Sequence, residues 1–119
     1  MNKYRAMKVS DGKYLFGQIY KDEKGNTWLT DSANINLNTH KNIAWFWVVE
    51  DTVGRLAAVN SKGVEFYEGM NVGRDYDDGD GLHSLGLIEW SNEVLGWVID
   101  KDNNLSDYID EIEVMDNYT

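Results

Sequence analysis

The chain has 119 residues, 11 basic and 21 acidic side chains, a formal charge of −10, and neither proline nor cysteine. It is long enough for a single domain with its own core, ~100–150 residues being usual. Lacking cysteine, it has no disulfide framework, thiolate nucleophile or cysteine-bound zinc. Its 42% of apolar residues exceeds what a disordered acidic tail carries. The longest apolar run, residues 43–49, falls far short of the ~20 residues of a transmembrane helix. Met1-Asn2-Lys3-Tyr4-Arg5 leads into no apolar segment, so no signal peptide is expected and the expected location is cytoplasmic.

In chain order, alternation and β-branched or aromatic residues dominate, and helical periodicity is absent. A first strand is predicted over residues 4–9, with Asp11-Gly12 as its turn. A second covers residues 14–20. The polar cluster Lys21-Asp22-Glu23-Lys24-Gly25-Asn26 turns it back into Thr27-Trp28-Leu29-Thr30. Residues 31–42, rich in asparagine, read as a long loop with room for one helical turn. Residues 43–49 read as a buried strand. In it Trp45 and Trp47 share one face and Phe46 takes the other. Further short strands are predicted over residues 55–59, 64–67 and 70–72. The turn Asn60-Ser61-Lys62-Gly63 lies between the first two, and Gly63 and Gly69 sit where turns need positive φ. A Gly-Asp loop covers residues 73–81. Residues 85–90 and 95–99 read as a hairpin, residues 100–104 as a turn, residues 105–111 as one helical turn, and residues 112–115 as a last strand. The expected fold is mainly β: a small single-domain β-barrel or curled antiparallel sheet with little helix and an SH3-like second half. One domain, 1–119, is expected. A change of character near residues 60–68 marks a subdivision into 1–60 and 61–119 that share one core.

The charge is divided unevenly. Residues 1–50 hold seven basic and five acidic side chains, and residues 51–119 hold four and sixteen. The second half therefore carries the whole acidic excess. A surface of that sign repels phosphate, so neither direct nucleic-acid binding nor docking on anionic membranes is expected. It suits a basic partner, divalent cations or plain solubility.

Catalytic chemistry finds little support. Only His40 and His83 offer imidazole. His83 and Ser84 would point to opposite faces of a strand, and the surrounding Gly81-Leu82-His83-Ser84-Leu85-Gly86 is not a nucleophile elbow. No enzymatic activity is expected. Two acidic segments are candidates for Ca²⁺ or Mg²⁺, which take six to eight oxygens in the calcium case. One is the loop bearing Asp75, Asp77, Asp78 and Asp80. The other begins at Asp100, with Asp102, Asn104 and Glu111 at calcium-loop spacing, but Leu105 stands where that loop needs glycine. A turn explains both segments equally well, since Asp, Asn and Gly are what turns use. No other cofactor is expected.

Several segments, read in order, resemble the YopX-like family of phage and prophage proteins. Asp11-Gly12-Lys13-Tyr14, with Phe16 and Gly17, is similar to its early strand, and Val48-Val49-Glu50-Asp51-Thr52-Val53-Gly54 to its "V-x-P-E-T-V-G" segment. Residues 60–72, with Tyr67-Glu68-Gly69 at their centre, resemble its most recognisable stretch. Gly86-Leu87-Ile88-Glu89-Trp90, Gly96-Trp97-Val98-Ile99 and Glu111-Ile112-Glu113-Val114-Met115-Asp116-Asn117 are similar to its later strands. Met70, Glu50, Leu56-Ala57-Ala58 and Asp116 differ from the family pattern. The resemblance implies a phage or prophage origin, a bacterial cytoplasm and a mostly β fold, with no catalytic residues to transfer. The expected function is therefore that of a non-enzymatic accessory protein that binds a host or phage protein. Its acidic surface would imitate nucleic acid, with Asp75, Asp77, Asp78, Asp80, Asp107, Asp110, Glu111 and Glu113 as the contact residues. A module that binds a small ligand or a cation through residues 75–80 is the alternative, and exposure of Trp45 or Trp47 would point to self-association.

Overall fold

The computed structural model describes residues 3–31 and 44–115. Of the loop expected at residues 31–42, Asp31 belongs instead to a strand, and residues 32–42, with His40 and Lys41, lie outside the described residues. So do Ile43 and the closing Asp116-Asn117. The described chain forms two compact units, one reaching Arg55 and the other starting at Leu56. Strand β5 (Gly54–Val59) carries the chain from one to the other.

The first unit is an antiparallel sheet of β1 (Tyr4–Met7), β2 (Tyr14–Lys21), β3 (Thr27–Asp31) and β4 (Trp45–Trp47), in the order β4-β3-β2-β1. The first two residues of β5 lie beside β1. Pairing of Ile19 with Leu29 and of Leu29 with Phe46 builds the inner face. Ala6, Leu29 and Val48 are buried there, with Leu15, Ile19 and Val53 packed against them. A 3-10 turn (Glu50–Thr52) is tied to β1, for Thr52 Oγ1 accepts the Met7 amide at 2.9 Å and donates to the Val49 carbonyl at 2.6 Å.

In the second unit the rest of β5 pairs with β6 (Glu65–Tyr67). Phe66 and Tyr67 are both fully buried, although neighbouring residues of a strand face opposite sides. The tyrosine tolerates this because its hydroxyl donates to Glu65 Oε1 at 3.0 Å. A five-stranded sheet follows, β7 (Asn71–Asp75), β8 (Leu82–Ser91), β9 (Gly96–Ile99), β10 (Asn103–Asn104) and β11 (Ile112–Val114), in the order β10-β9-β8-β7-β11. Every pairing in it is antiparallel. Neither sheet closes into a barrel among the described residues. The helical turn expected near residue 105 is α1 (Leu105–Tyr108), anchored by buried Leu105.

Two glycines explain where the strands differ from expectation. The loop expected at residues 73–81 is shorter, because Gly73, Arg74 and Asp75 belong to β7. Gly73 serves close packing rather than a turn: a Cβ there would lie 2.7 Å from the His83 carbonyl and against the Met115 sulfur. Gly86 has φ +128°, and a Cβ would lie 2.7 Å from Asp100 Cβ. It stands where β8 changes neighbours, pairing with β7 through Leu87 and with β9 from Ile88 onward. Gly86→Ala is therefore expected to destabilise the fold by ~2 kcal/mol, from backbone strain and overpacking together. Thermal unfolding of the variant beside the parent chain measures it.

Candidate functional site

The pairing of β11 with β7 decides where the acidic residues meet. Glu113 stands opposite Gly73 and Ile112 opposite Arg74. This brings the end of β7 to the segment just before β11. Asp75, Asp110, Glu111 and Glu113 consequently line one groove of about 600 Å³ with Ile112 and Val114. Its remaining lining is Asn60, Lys62 and Val64, from the turn between β5 and β6 and its exit.

The groove is organised by a few contacts. Asp110 Oδ1 accepts the Ser61 amide at 2.9 Å and the Ser61 hydroxyl at 2.7 Å. These bonds, with the Lys62 charge beside them, hold the Asp110 carboxyl below the usual aspartate range. Arg74 reaches Glu111 at 3.5 Å and also lies over the Tyr76 ring at 5.1 Å. The Arg74 and Glu111 side chains are respectively one-third and one-half exposed, so this ion pair orders the wall more than it stabilises the fold.

The other predicted acids lie elsewhere. Asp77, Asp78 and Asp80 belong to the exposed loop between β7 and β8. Their segment is bonded as a series of turns. Asp75 Oδ1 accepts the Asp77 amide at 2.9 Å, and Asp78 Oδ1 accepts the Asp80 amide at 3.0 Å. Asp78 Oδ2 also lies 2.8 Å from His83 Nε2. The Asp80 amide first, and then His83, lower the Asp78 carboxyl from its usual value. His83 is a residue of β8, not of the loop. Asp107 is exposed on α1 and does not line the groove. Asp100 and Lys101 form the turn between β9 and β10, with φ of 51° and 70°. Leu105, at the calcium-loop glycine position, is buried in α1. Among the described residues, no three His, Asp or Glu side chains gather as a metal-binding set.

One feature escaped the sequence reading. Residues 43–49 read as a buried strand, yet within them Trp45 is 42% and Trp47 51% exposed. The register supplies the reason. Tyr20 pairs with Trp28 and Trp28 with Trp47, so three aromatic side chains cross the sheet in a row on the face opposite Leu29. Tyr20 lies 5.8 Å from Trp45, and Trp28 lies 6.4 Å from Trp47, between ring centres. Tyr20, Trp28 and Trp45 line a shallow apolar groove of about 400 Å³. Trp28 Nε1 donates to Asp22 Oδ2 at 3.0 Å, and this bond leads those that lower the Asp22 carboxyl. The signal was present as alternate aromatic residues in residues 14–20 and 45–47, but not the side to which they turn.

No family of known proteins, no curated protein and no solved structure matches this chain.

The Asp110 geometry gives a pH dependence. A carboxyl lowered by folding stabilises the native state above its unfolded pKa of about 3.9, and that contribution is lost as pH falls through the lower folded value. NMR titration of the Asp110 carboxyl carbon is expected to give a midpoint below about 3.9. In Ser61→Ala the midpoint is expected to rise part of the way back, because the amide bond remains while the hydroxyl bond is lost.

Proposed function

We propose that this chain is a non-enzymatic accessory protein of a phage or prophage that acts in the cytoplasm of its bacterial host. It binds a basic host or phage protein through the groove lined by Asp75, Asp110, Glu111 and Glu113. The observation that carries this reading is the convergence of those four carboxylates, from two distant stretches of sequence, on a single groove. Lys62 is the cation among the groove's lining residues, and Arg74 is engaged by Glu111. The cleft thus retains a negative field that steers and orients a positive partner. A protein that normally grips phosphates presents the positive surface that such a cleft would bind. The ordered YopX-like segments support the phage context. No helix among the described residues is long and apolar enough to cross a membrane. An SH3-like curl of the second unit belongs to the same reading. The divided pairing of β8 and the irregular register between Val72 and Gly73 support it.

A separate observation favours a second surface. Tyr20, Trp45 and Trp47 expose an apolar face that a second copy of the chain could cover. Self-association through that face is the alternative reading.

The two readings have different tests. Capture of host proteins at low and high salt, with the parent chain and an Asp75→Asn, Glu113→Gln variant, addresses the first. The specific partner is expected to be lost both at high salt and with the variant. Capture indifferent to both changes would overturn the proposal. For the second, sedimentation velocity over a range of concentrations is expected to show a dimer that Trp47→Ser converts to monomer. A monomer at every concentration removes that reading.

A further inference from the structure

The acidic groove runs along an open sheet edge. Strand β11 is the last in its sheet, and no other strand among the described residues pairs with its outer side. The orientation of its backbone follows from one bond. The Met115 amide donates to the Asn71 carbonyl at 2.8 Å, in the register that pairs Glu113 with Gly73. Backbone direction alternates along an antiparallel strand. Met115 and Glu113 therefore turn their N–H and C=O toward β7, and Ile112 and Val114 turn theirs toward the open edge. Those two residues line the groove.

The opposite wall does not supply the missing partners. In the turn at residues 60–64, Asn60 Oδ1 accepts the Lys62 and Val64 amides, each at 2.9 Å. The Asn60 amide donates to the Val64 carbonyl at 2.9 Å, and the Ser61 amide to Asp110. With the Gly63 amide donating to the Asn60 carbonyl at 3.0 Å, the amides of residues 60–64 are all used within the turn or by Asp110, and the edge of β11 faces the groove.

From this edge we infer that the partner enters as an extended basic segment and adds to β11 as a further strand. The inference rests on the basic-partner reading above and specifies how that partner is held. Backbone bonds to Ile112 and Val114 would supply pairing, as in other cases of strand addition. Side-chain alternation supplies selectivity. On one face the guest meets half-buried Val114 and buried Ile112, which suit an apolar residue. On the other it meets exposed Glu113, which suits lysine or arginine. The same glutamate opposes pairing with a second β11, which would bring two like charges together. An alternating basic and apolar sequence fits this edge.

The test uses the whole chain and a capped heptapeptide of alternating Lys and Val. Two further versions carry backbone N-methyl groups, one on the lysines and one on the valines, so that each blocks one edge without altering charge. The parent peptide is expected to bind in a salt-sensitive manner and to slow amide exchange at Ile112 and Val114. One N-methyl version is expected to bind about tenfold more weakly, through the loss of backbone bonds, while the other binds like the parent. Val114→Pro, which removes an outward N–H, is expected to weaken the parent peptide similarly while thermal unfolding shows the fold intact. Equal binding by all three peptides, lost in the Asp75→Asn, Glu113→Gln variant, would overturn strand addition and leave the basic-partner reading standing. Absence of binding by the parent peptide, or binding indifferent to that variant, would overturn both.

Discussion

Strand β8 is the element on which the second unit is built. Its first part pairs with β7, and its last four residues pair with β9. The first of those four, Ile88, is fully buried; its carbonyl accepts the Gly69 amide at 2.8 Å and its amide donates to the Met70 carbonyl at 2.9 Å. One strand thus holds the Tyr67-Glu68-Gly69-Met70 turn and both of its sheet neighbours. A buried backbone must find partners for its amides and carbonyls, and β8 meets that demand by dividing its length. Gly86 permits the division, because its positive φ and the nearness of Asp100 exclude a side chain there. Strand β7 is placed by β8, and β11 by β7, so the acidic groove depends on this sequence of pairings.

The acidic residues fall into two physical groups. Asp78 and Asp110 accept hydrogen bonds that lower their carboxyl pKa values, and each fixes local chain geometry. Such carboxylates hold a turn or a wall in place and have less freedom to meet a partner. Glu113 lies on an edge strand, and the Glu111 carboxylate is half exposed although Arg74 reaches it. Ordered and outward-facing carboxylates together make a groove with a defined wall and a negative field, rather than a diffuse acidic coat.

The first unit follows a different plan. One face of its sheet holds Ala6, Leu15, Ile19 and Leu29 in a small core. The other carries an aromatic row, and Tyr20, Trp45 and Trp47 within it are exposed. Aromatic rings in contact stabilise one another across strands, which accounts for part of this arrangement without any partner. Their combined exposure still distinguishes this face from the polar surface usual on the solvent side of an antiparallel sheet.

Local chemistry made much of the fold legible. Alternation located β2, β3, β5 and β11, and turn residues located Asp11-Gly12, Asn60-Ser61-Lys62-Gly63 and the bend at Asp100, since these signals act over two to five residues. The concentration of acid in residues 51–119 was equally plain. Register was not legible. Alternation shows that Trp45 and Trp47 share a face, but only pairing with β3 and packing around Leu29 turn that face outward. The spacing of Asp75, Asp110 and Glu113 shows no constellation until β11 lies against β7. The sequence by itself therefore determined a β chain with an acidic second half. The tertiary structure decided which aromatics meet solvent and which carboxylates meet one another, because both depend on strand pairings between residues far apart in the chain.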